Sequence, residues 1–312
     1  MKTAFVFPGQ GAQYIGMAMD LAESREEYSW TLQEFDRINQ TQLWNIMRDG
    51  PESALQETRY TQPAILFHSI AALKLFQTEI GIKPDYVAGH SLGEFSALVA
   101  NNTLQWLDAM YLVHKRGEFM IRANQDRPFA MAAVIGLTGD TVHHICLQVT
   151  QTYTVVAANF NTPEQTVISG TREGVEAASR LAEEAGAKKI VPLAVGGPFH
   201  SPLITRAEEW LNQEIAKINF SQPEIPVITN VDASPTTNLD KIRYNLAKQV
   251  TSPVLWVDTI NFLISRGIDL IFEFGPKNVL AGMIKKINRD LPVINIDKLT
   301  DIEKAKIRMK EL

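Results

Sequence analysis

Gly89-His90-Ser91-Leu92-Gly93 fits the pattern G-x-S-x-G. It follows a short apolar run, Tyr86-Val87-Ala88, and precedes a helix-prone stretch from Glu94 to Ala100. A serine on a sharp strand-to-helix turn can act as a nucleophile, because glycines two residues either side let neighbouring backbone pass close by. Its hydroxyl then projects at a helix N-terminus, where free N–H groups and the helix dipole stabilise an oxyanion. Serine needs a base to take its proton. The chain offers six histidines: His68, His90, His114, His143, His144 and His200. His90 adjoins Ser91 and is expected to face elsewhere. His68 and His114 fall in mid-helix, and His143 and His144 in a helix of a smaller unit. His200 lies in the Gly/Pro-bounded turn Gly197-Pro198-Phe199-His200-Ser201-Pro202 and is the best partner on local context. No acid stands in an obvious strand-end turn between Ser91 and His200. The histidine is then oriented by a backbone carbonyl or a side-chain amide, and a Ser–His dyad is the simplest form, or the triad idea fails. Cys146 is the only cysteine and sits on an amphipathic stretch, so it reads as core.

These residues need a scaffold. The chain has 312 residues, 45% hydrophobic and 21% charged, which suits one large or two smaller globular domains. A net charge of −5 argues against general nucleic-acid binding. A single cysteine permits no intrachain disulfide and no cysteine-based zinc site, and no metal is expected. The N-terminal apolar run, Ala4 to Phe7, is too short for a signal peptide or membrane span, so a cytoplasmic protein is expected.

The first strand runs into the turn Pro8-Gly9-Gln10-Gly11, which has the spacing of neither a dinucleotide fingerprint nor a P-loop. Thr61-Gln62-Pro63 is expected to open a helix, with Pro63 in its first turn. Residues 106–122 read as one amphipathic helix carrying Arg116 and Gly117. Residues 129–195 alternate as β-α-β-β-α-β, the ferredoxin-like split unit. Gln249 ends a helix, and the next is expected to begin at Val250 and run through Leu263. The fold class expected is α/β. A large α/β-hydrolase-like domain over 1–127 and 197–312 carries the elbow, and a small ferredoxin-like subdomain over 128–196 is inserted into it.

Several motifs together resemble the malonyl-CoA:acyl carrier protein transacylase family. They are Phe7-Pro8-Gly9-Gln10-Gly11, Gly89-His90-Ser91-Leu92-Gly93-Glu94, Lys115-Arg116-Gly117, Asn159-Phe160-Asn161-Thr162-Pro163 with Gln165 and Val167-Ile168-Ser169-Gly170, and Gly197-Pro198-Phe199-His200-Ser201. They span essentially the whole chain in one order. The resemblance implies that Ser91 takes the malonyl group from malonyl-CoA as an ester and passes it to the phosphopantetheine thiol of an acyl carrier protein. His200 would be base and then acid. The N–H groups of Gln10 and Leu92 would form the oxyanion hole, and Arg116 would hold the malonyl carboxylate. Gln249 would help order the site, Asn161 would support the small-domain wall, and Phe199 would crowd an α-methyl branch. The turn reads Gly197-Pro198-Phe199-His200 where many members carry alanine before the phenylalanine; this departure is expected to be neutral. No cofactor is implied beyond the CoA substrate. A monomer is expected, with no nucleic-acid or membrane partner. The alternatives are an acyl hydrolase that clears carrier-bound groups and a non-catalytic docking protein; an intact Ser91, His200 and Arg116 set argues against both. Because carriers of this kind are acidic, Lys188, Lys189, Arg206, Lys285, Lys286 and Arg289 are candidates for a basic docking face, although solvated helix ends explain each equally well.

Overall fold

The computed structural model describes residues 1–124 and 127–311; residues 125 and 126, just before the expected domain boundary at 127/128, and Leu312 lie outside the described residues. In chain order the first half holds β1 (Thr3–Phe7), α1 (Met19–Ser24), α2 (Glu26–Asn39), α3 (Leu43–Asp49), α4 (Glu52–Leu55), α5 (Thr58–Glu79), β2 (Tyr86–Gly89), α6 (Gly93–Ala100) and α7 (Trp106–Arg122). A second unit follows with β3 (Phe129–Ile135), α8 (Gly139–Val149), β4 (Val155–Thr162), β5 (Gln165–Thr171), α9 (Arg172–Glu184) and β6 (Lys189–Pro192). The chain then returns with α10 (Thr205–Ile215), β7 (Val227–Ile228), β8 (Pro235–Thr236), α11 (Leu239–Lys248), α12 (Trp256–Ser265), β9 (Leu270–Phe274), α13 (Val279–Ile287), β10 (Val293–Ile296) and α14 (Leu299–Glu311).

β1 and β9 are apolar along nearly their whole length, and both are buried throughout. A strand of that kind belongs inside a parallel sheet covered on both faces. The six-stranded sheet has the order β10-β9-β1-β2-β7-β8, parallel except for the β7–β8 pair. Strand alternation sends Phe5 and Phe7 to one face, where they pack with Phe76 of α5 and with Phe272 and Phe274 of β9. Ala4 and Val6 go to the other face, against Trp256 and Ile260 of α12 and Leu280 and Ile284 of α13. Phe7 pairs with Gly89 at the carboxyl ends of β1 and β2. The 8–11 turn and the serine turn therefore leave the sheet side by side, at the edge where open α/β sheets bind ligands.

The second unit is a four-stranded antiparallel sheet of order β4-β5-β3-β6. Its own helices cover one face through Val142, Ile145, Cys146, Val175 and Ala178, while Met131, Ala133 and Val167 on the other face join the main core. Cys146 is buried there, as its position on an amphipathic stretch predicts. β4 also pairs with the 252–254 segment: Phe160 N–H donates to the Val254 carbonyl, and Val254 N–H to the Ala158 carbonyl, each at 2.9 Å.

Two helix starts differ from the sequence expectation. α5 begins at Thr58, and Pro63 lies inside it. An internal proline leaves the carbonyl four residues earlier without its N–H partner. That carbonyl, of Arg59, is met at 3.1 Å by the His114 ring Nδ1 from α7, so the helix tolerates the proline. The helix expected from Val250 begins only at Trp256, and Gln249–Thr251 is a single 3₁₀ turn. The Gln249 and Val250 carbonyls of this turn meet His200 instead. Among the described residues no helix is long and apolar enough to cross a membrane.

Candidate active site

β2 ends at Gly89 and α6 begins at Gly93, so Ser91 occupies the turn between them with φ at 52°. This is left-handed backbone, costly for a serine and held by its surroundings. A Cβ on Gly89 would overlap the backbone of Gly93, and one on Gly93 the carbonyl of Phe7. Only glycine lets the turn close against β1. Asn230, just after β7, pins the turn from the far side. Its Oδ1 accepts the Ser91 N–H at 2.7 Å, and its Nδ2 donates to the Gly89 carbonyl at 2.6 Å. Sequence reasoning passed over Asn230, because nothing local marks a side chain that acts 139 residues away.

His200 is also left-handed, with φ at 57°. Its Nδ1 lies 2.9 Å from the Gln249 carbonyl and 3.1 Å from the Ser252 carbonyl. Both are acceptors, so Nδ1 carries the proton and Nε2 is left bare. Nε2 faces the Ser91 hydroxyl at 2.8 Å. The two carbonyls are free for this because the chain makes one 3₁₀ turn and then extends at Ser252. Of the orienting groups the sequence left open, backbone carbonyls fill the role at His200. Burial, with the Arg116 charge adding to it, lowers the His200 pKa to about 3, so the ring is neutral near pH 7.

Arg116 is buried, only 1% exposed. Its Nη1 donates to Gln62 Oε1 at 2.9 Å; its Nη2 donates to Gln249 Oε1 at 2.9 Å and to Ser91 Oγ at 3.0 Å. Its Nε has no acceptor among the described residues. Burial pulls its pKa down to about 10, against the pull of Glu94. Gly117 explains how α7 brings it there: a Cβ at that position would meet Arg59 Cα and the Thr58 carbonyl at 2.9 Å, so the glycine lets α7 lie directly on α5. Gln62, like Asn230, gave no sequence signal.

A cavity of about 170 Å³ opens over these groups, with Gln10, Leu92, Phe199, Asn161 and Met283 among its walls. The backbone N–H groups of Gln10 and Leu92 have no protein acceptor among the described residues. Gln249 turns its Nε2 to the Ser91 carbonyl at 3.0 Å. Asn161 Oδ1 lies 2.8 Å from His90 Nε2. His90 therefore does not face away, as the sequence suggested; it lines the cavity and ties the serine turn to β4 of the second unit. His68 is core, bonded to the Asp297 carbonyl at 2.7 Å. A larger cavity of about 590 Å³ lies against α8 and does not include Ser91, His200 or Arg116. Lys285, Lys286 and Arg289 are exposed at the end of α13, whose first turns wall the site cavity through Val279 and Met283. Lys188 is paired with Glu164 at 3.0 Å, and Lys189 and Arg206 are exposed elsewhere.

A bare imidazole nitrogen against a serine hydroxyl, beside a fixed guanidinium and two unpaired N–H groups, is equipped for acyl transfer of a carboxylated acyl group. Comparison with known proteins agrees in kind. The family model described as an acyl transferase domain matches residues 4–300. The chain is similar to the malonyl CoA-acyl carrier protein transacylase of Bacillus subtilis, 43% identical over 311 residues, covering 99% of this chain and 98% of that one. Among solved structures it resembles the malonyl CoA-acyl carrier protein transacylase of Coxiella burnetii, with a TM-score of 0.94 and 39% identity over 99% of this chain and 98% of that one. It equally resembles a malonyl-transacylase solved in complex with its type II polyketide synthase acyl-carrier protein, with a TM-score of 0.94 and 36% identity over 99% of this chain and all of that one.

Proposed function

This chain belongs to the acyl transferase domain family, and from that premise we propose that it moves a malonyl group from malonyl-CoA to the phosphopantetheine thiol of an acyl carrier protein. The observation that carries the reading is that Ser91 Oγ stands 2.8 Å from His200 Nε2 and 3.0 Å from Arg116 Nη2.

Ser91 and His200 act as a dyad. Oγ attacks the thioester carbonyl carbon as its proton passes to His200 Nε2. The carbonyl oxygen becomes an oxyanion and accepts the N–H groups of Gln10 and Leu92. The intermediate collapses, the carbon–sulfur bond breaks, and the imidazolium protonates the departing CoA thiolate. The malonyl ester on Ser91 is then attacked by the carrier thiol, whose proton goes to His200 and on to the Ser91 oxygen. Every proton and electron pair is accounted for without a metal or organic cofactor; malonyl-CoA is a substrate.

Arg116 selects the acyl group. A planar guanidinium offers a carboxylate two parallel N–H bonds, which a lysine does not. Phe199, 7% exposed on the cavity wall, crowds an α-methyl branch. One methyl group is worth about 1–3 kcal/mol in such a pocket, so the outcome is preference and not exclusion. Asn161 fixes His90 and with it the wall contributed by the second unit. The large unit, 1–127 with 197–312, is read as α/β-hydrolase-like, and 128–196 as a ferredoxin-like insertion whose strand order supports that reading. The enzyme is read as a cytoplasmic monomer.

Intact mass spectrometry tests this directly. The protein mixed with malonyl-CoA is expected to gain one malonyl group on Ser91 and lose it to a phosphopantetheinylated carrier. An adduct lost to water with the carrier unmodified would favour the hydrolase. No adduct would overturn the roles given to Ser91 and Arg116.

A further inference from the structure

The reaction gives no task to Glu94, three residues beyond Ser91 in the first turn of α6. Its side chain is fully buried. A charged carboxylate is seldom buried without a cation in contact, because desolvation costs several kcal/mol. Glu94 has none. Its Oε2 accepts the Asn230 N–H at 2.9 Å and Gln249 Nε2–H at 2.7 Å, while Oε1 meets no donor among the described residues. Arg116 is the mirror image, a buried cation bonded to two amide oxygens and a hydroxyl but to no carboxylate. The Gln249 amide stands between them. Its oxygen faces the guanidinium, and its nitrogen faces the carboxylate and the Ser91 carbonyl. Turned over, the amide would set N–H against N–H and oxygen against two oxygens, so it holds one orientation.

We infer that Glu94 is a positioning residue for acyl-group selection: its charged carboxylate holds the Gln249 amide in one orientation, and through it aims the Arg116 guanidinium while staying out of contact, so that the guanidinium stays open to the acyl carboxylate. This rests on reading Arg116 as the clamp for that carboxylate. A carboxylate directly on Arg116 would compete with the substrate for the same donors. With no charged acceptor behind it, the Gln249 amide would be held only by neutral hydrogen bonds, about half as strong, and the guanidinium would be less firmly aimed. Placing a neutral amide between the two charges avoids both.

The electrostatics point the same way. Burial raises the Glu94 pKa to about 7, with the Asn230 N–H, the Gln249 amide and Arg116 pulling it back. The charged groups acting on it are Arg116 of α7 and Asp232 beyond β7, and His90 and His200 lie on the cavity side. As pH falls through about 7, Glu94 takes a proton, its bond to the Gln249 amide loses its charge and the guanidinium is less firmly aimed, so the hold on a malonyl group weakens while that on an acetyl group does not.

The test is the ratio of kcat/KM for Ser91 loading from malonyl-CoA to that from acetyl-CoA, followed from about pH 5.5 to about pH 8.5. The ratio cancels ionisation of the CoA moiety. In the wild type it is expected to fall as pH drops through about 7. Glu94→Gln keeps the shape, and its amide oxygen can still accept both N–H groups, but without the charge that strengthens those bonds. Its ratio is expected to be roughly tenfold lower at alkaline pH, mostly through the malonyl KM, and flat across the range. In an Arg116→Ala background, Glu94→Gln is expected to change the ratio no further. A wild-type ratio with a wild-type pH profile in Glu94→Gln, beside a collapsed ratio in Arg116→Ala, would make Glu94 merely structural and overturn the inference. An unchanged ratio in Arg116→Ala would instead sink the clamp reading itself. If Glu94→Gln does not fold, Glu94→Asp decides. Its carboxylate stops one methylene short of Gln249, so the malonyl KM is expected to rise several-fold with the pH inflection kept, and an unchanged ratio would overturn the inference.

Discussion

The surroundings of His200, the proposed base, hold off protons. Burial and the Arg116 charge lower its pKa to about 3, so protonation removes none of it near neutrality. The same forces make it a weak acceptor in the free enzyme. On the proposed reading, a malonyl carboxylate arriving on Arg116 would offset that charge and restore part of the basicity when it is needed. The depressed pKa has a consequence for stability. Between the unfolded value of 6.5 and the folded value of about 3, the unfolded chain binds the proton more readily, so stability is present above 6.5 and lost as pH falls. Glu94 and Glu273, raised to about 7, act in the opposite sense, so the difference between two proteins is the cleaner measure. In thermal melts, the Tm of His200→Gln relative to the wild type is expected to rise as pH drops from 6.5 toward 4. A difference independent of pH would mean that His200 is not held neutral by the fold. At this scale Ser91 and His200 were legible because turn chemistry is local. The serine needs its flanking glycines, and the histidine sits in a Gly/Pro turn. Asn230, Gln62 and the role of Glu94 were not, since each acts on partners that only the fold brings near.

The crossing of α5 and α7 decides where Arg116 points. Pro63 breaks the ladder of α5, His114 from α7 takes up the carbonyl left over, and Gly117 removes the side chain that would hold the helices apart. Gly117→Ala is therefore expected to cost about 1–3 kcal/mol by overpacking. Because the added methyl meets backbone on α5, it also tilts α7 and swings Arg116 off Gln62 and Ser91. The signature is a lower Tm together with a loss in malonyl loading larger than in acetyl loading. A lower Tm with both loadings scaled equally would confine Gly117 to packing. The span of α7 was readable from its apolar stripe, residue for residue. The start of α5 was not, because the rule for proline at a helix start assumes that no other helix will serve the abandoned carbonyl. The 250–255 segment misled for a related reason. Its composition suits a helix, but the Val250 and Ser252 carbonyls are bound to His200, and Val254 is paired with β4 through both its N–H and its carbonyl.

On the scale of the molecule, two sheets meet over one serine, and the 249–254 segment joins them. It gives His200 its carbonyls and pairs with β4 of the second unit, so the base and the cavity wall are set by the same stretch of backbone. The β-α-β-β-α-β order of the smaller unit was visible in the sequence, whereas the order of the six parallel-sheet strands was not, because it depends on pairings between distant segments. The carrier protein must bring its thiol into this cavity from outside. α13 walls the cavity at Val279 and Met283 and carries Lys285 and Lys286 in its last turn, so these two lysines lie within about one helical turn of the cavity wall. Neither makes an ion pair among the described residues, which leaves both available to an acidic carrier. The plainer alternative is that they only complement the C-terminal dipole of α13, worth about 0.3–1 kcal/mol. Reversing both charges, Lys285→Glu with Lys286→Glu, separates the two. If they dock the carrier, its KM rises several-fold while Ser91 loading from malonyl-CoA stays as in the wild type. The defect should also shrink as salt shortens the screening length from about 10 Å at 0.1 M to about 3 Å at 1 M. If they serve the helix alone, the Tm falls slightly and the carrier KM does not move, and the docking face must then be sought around Lys189 or Arg206.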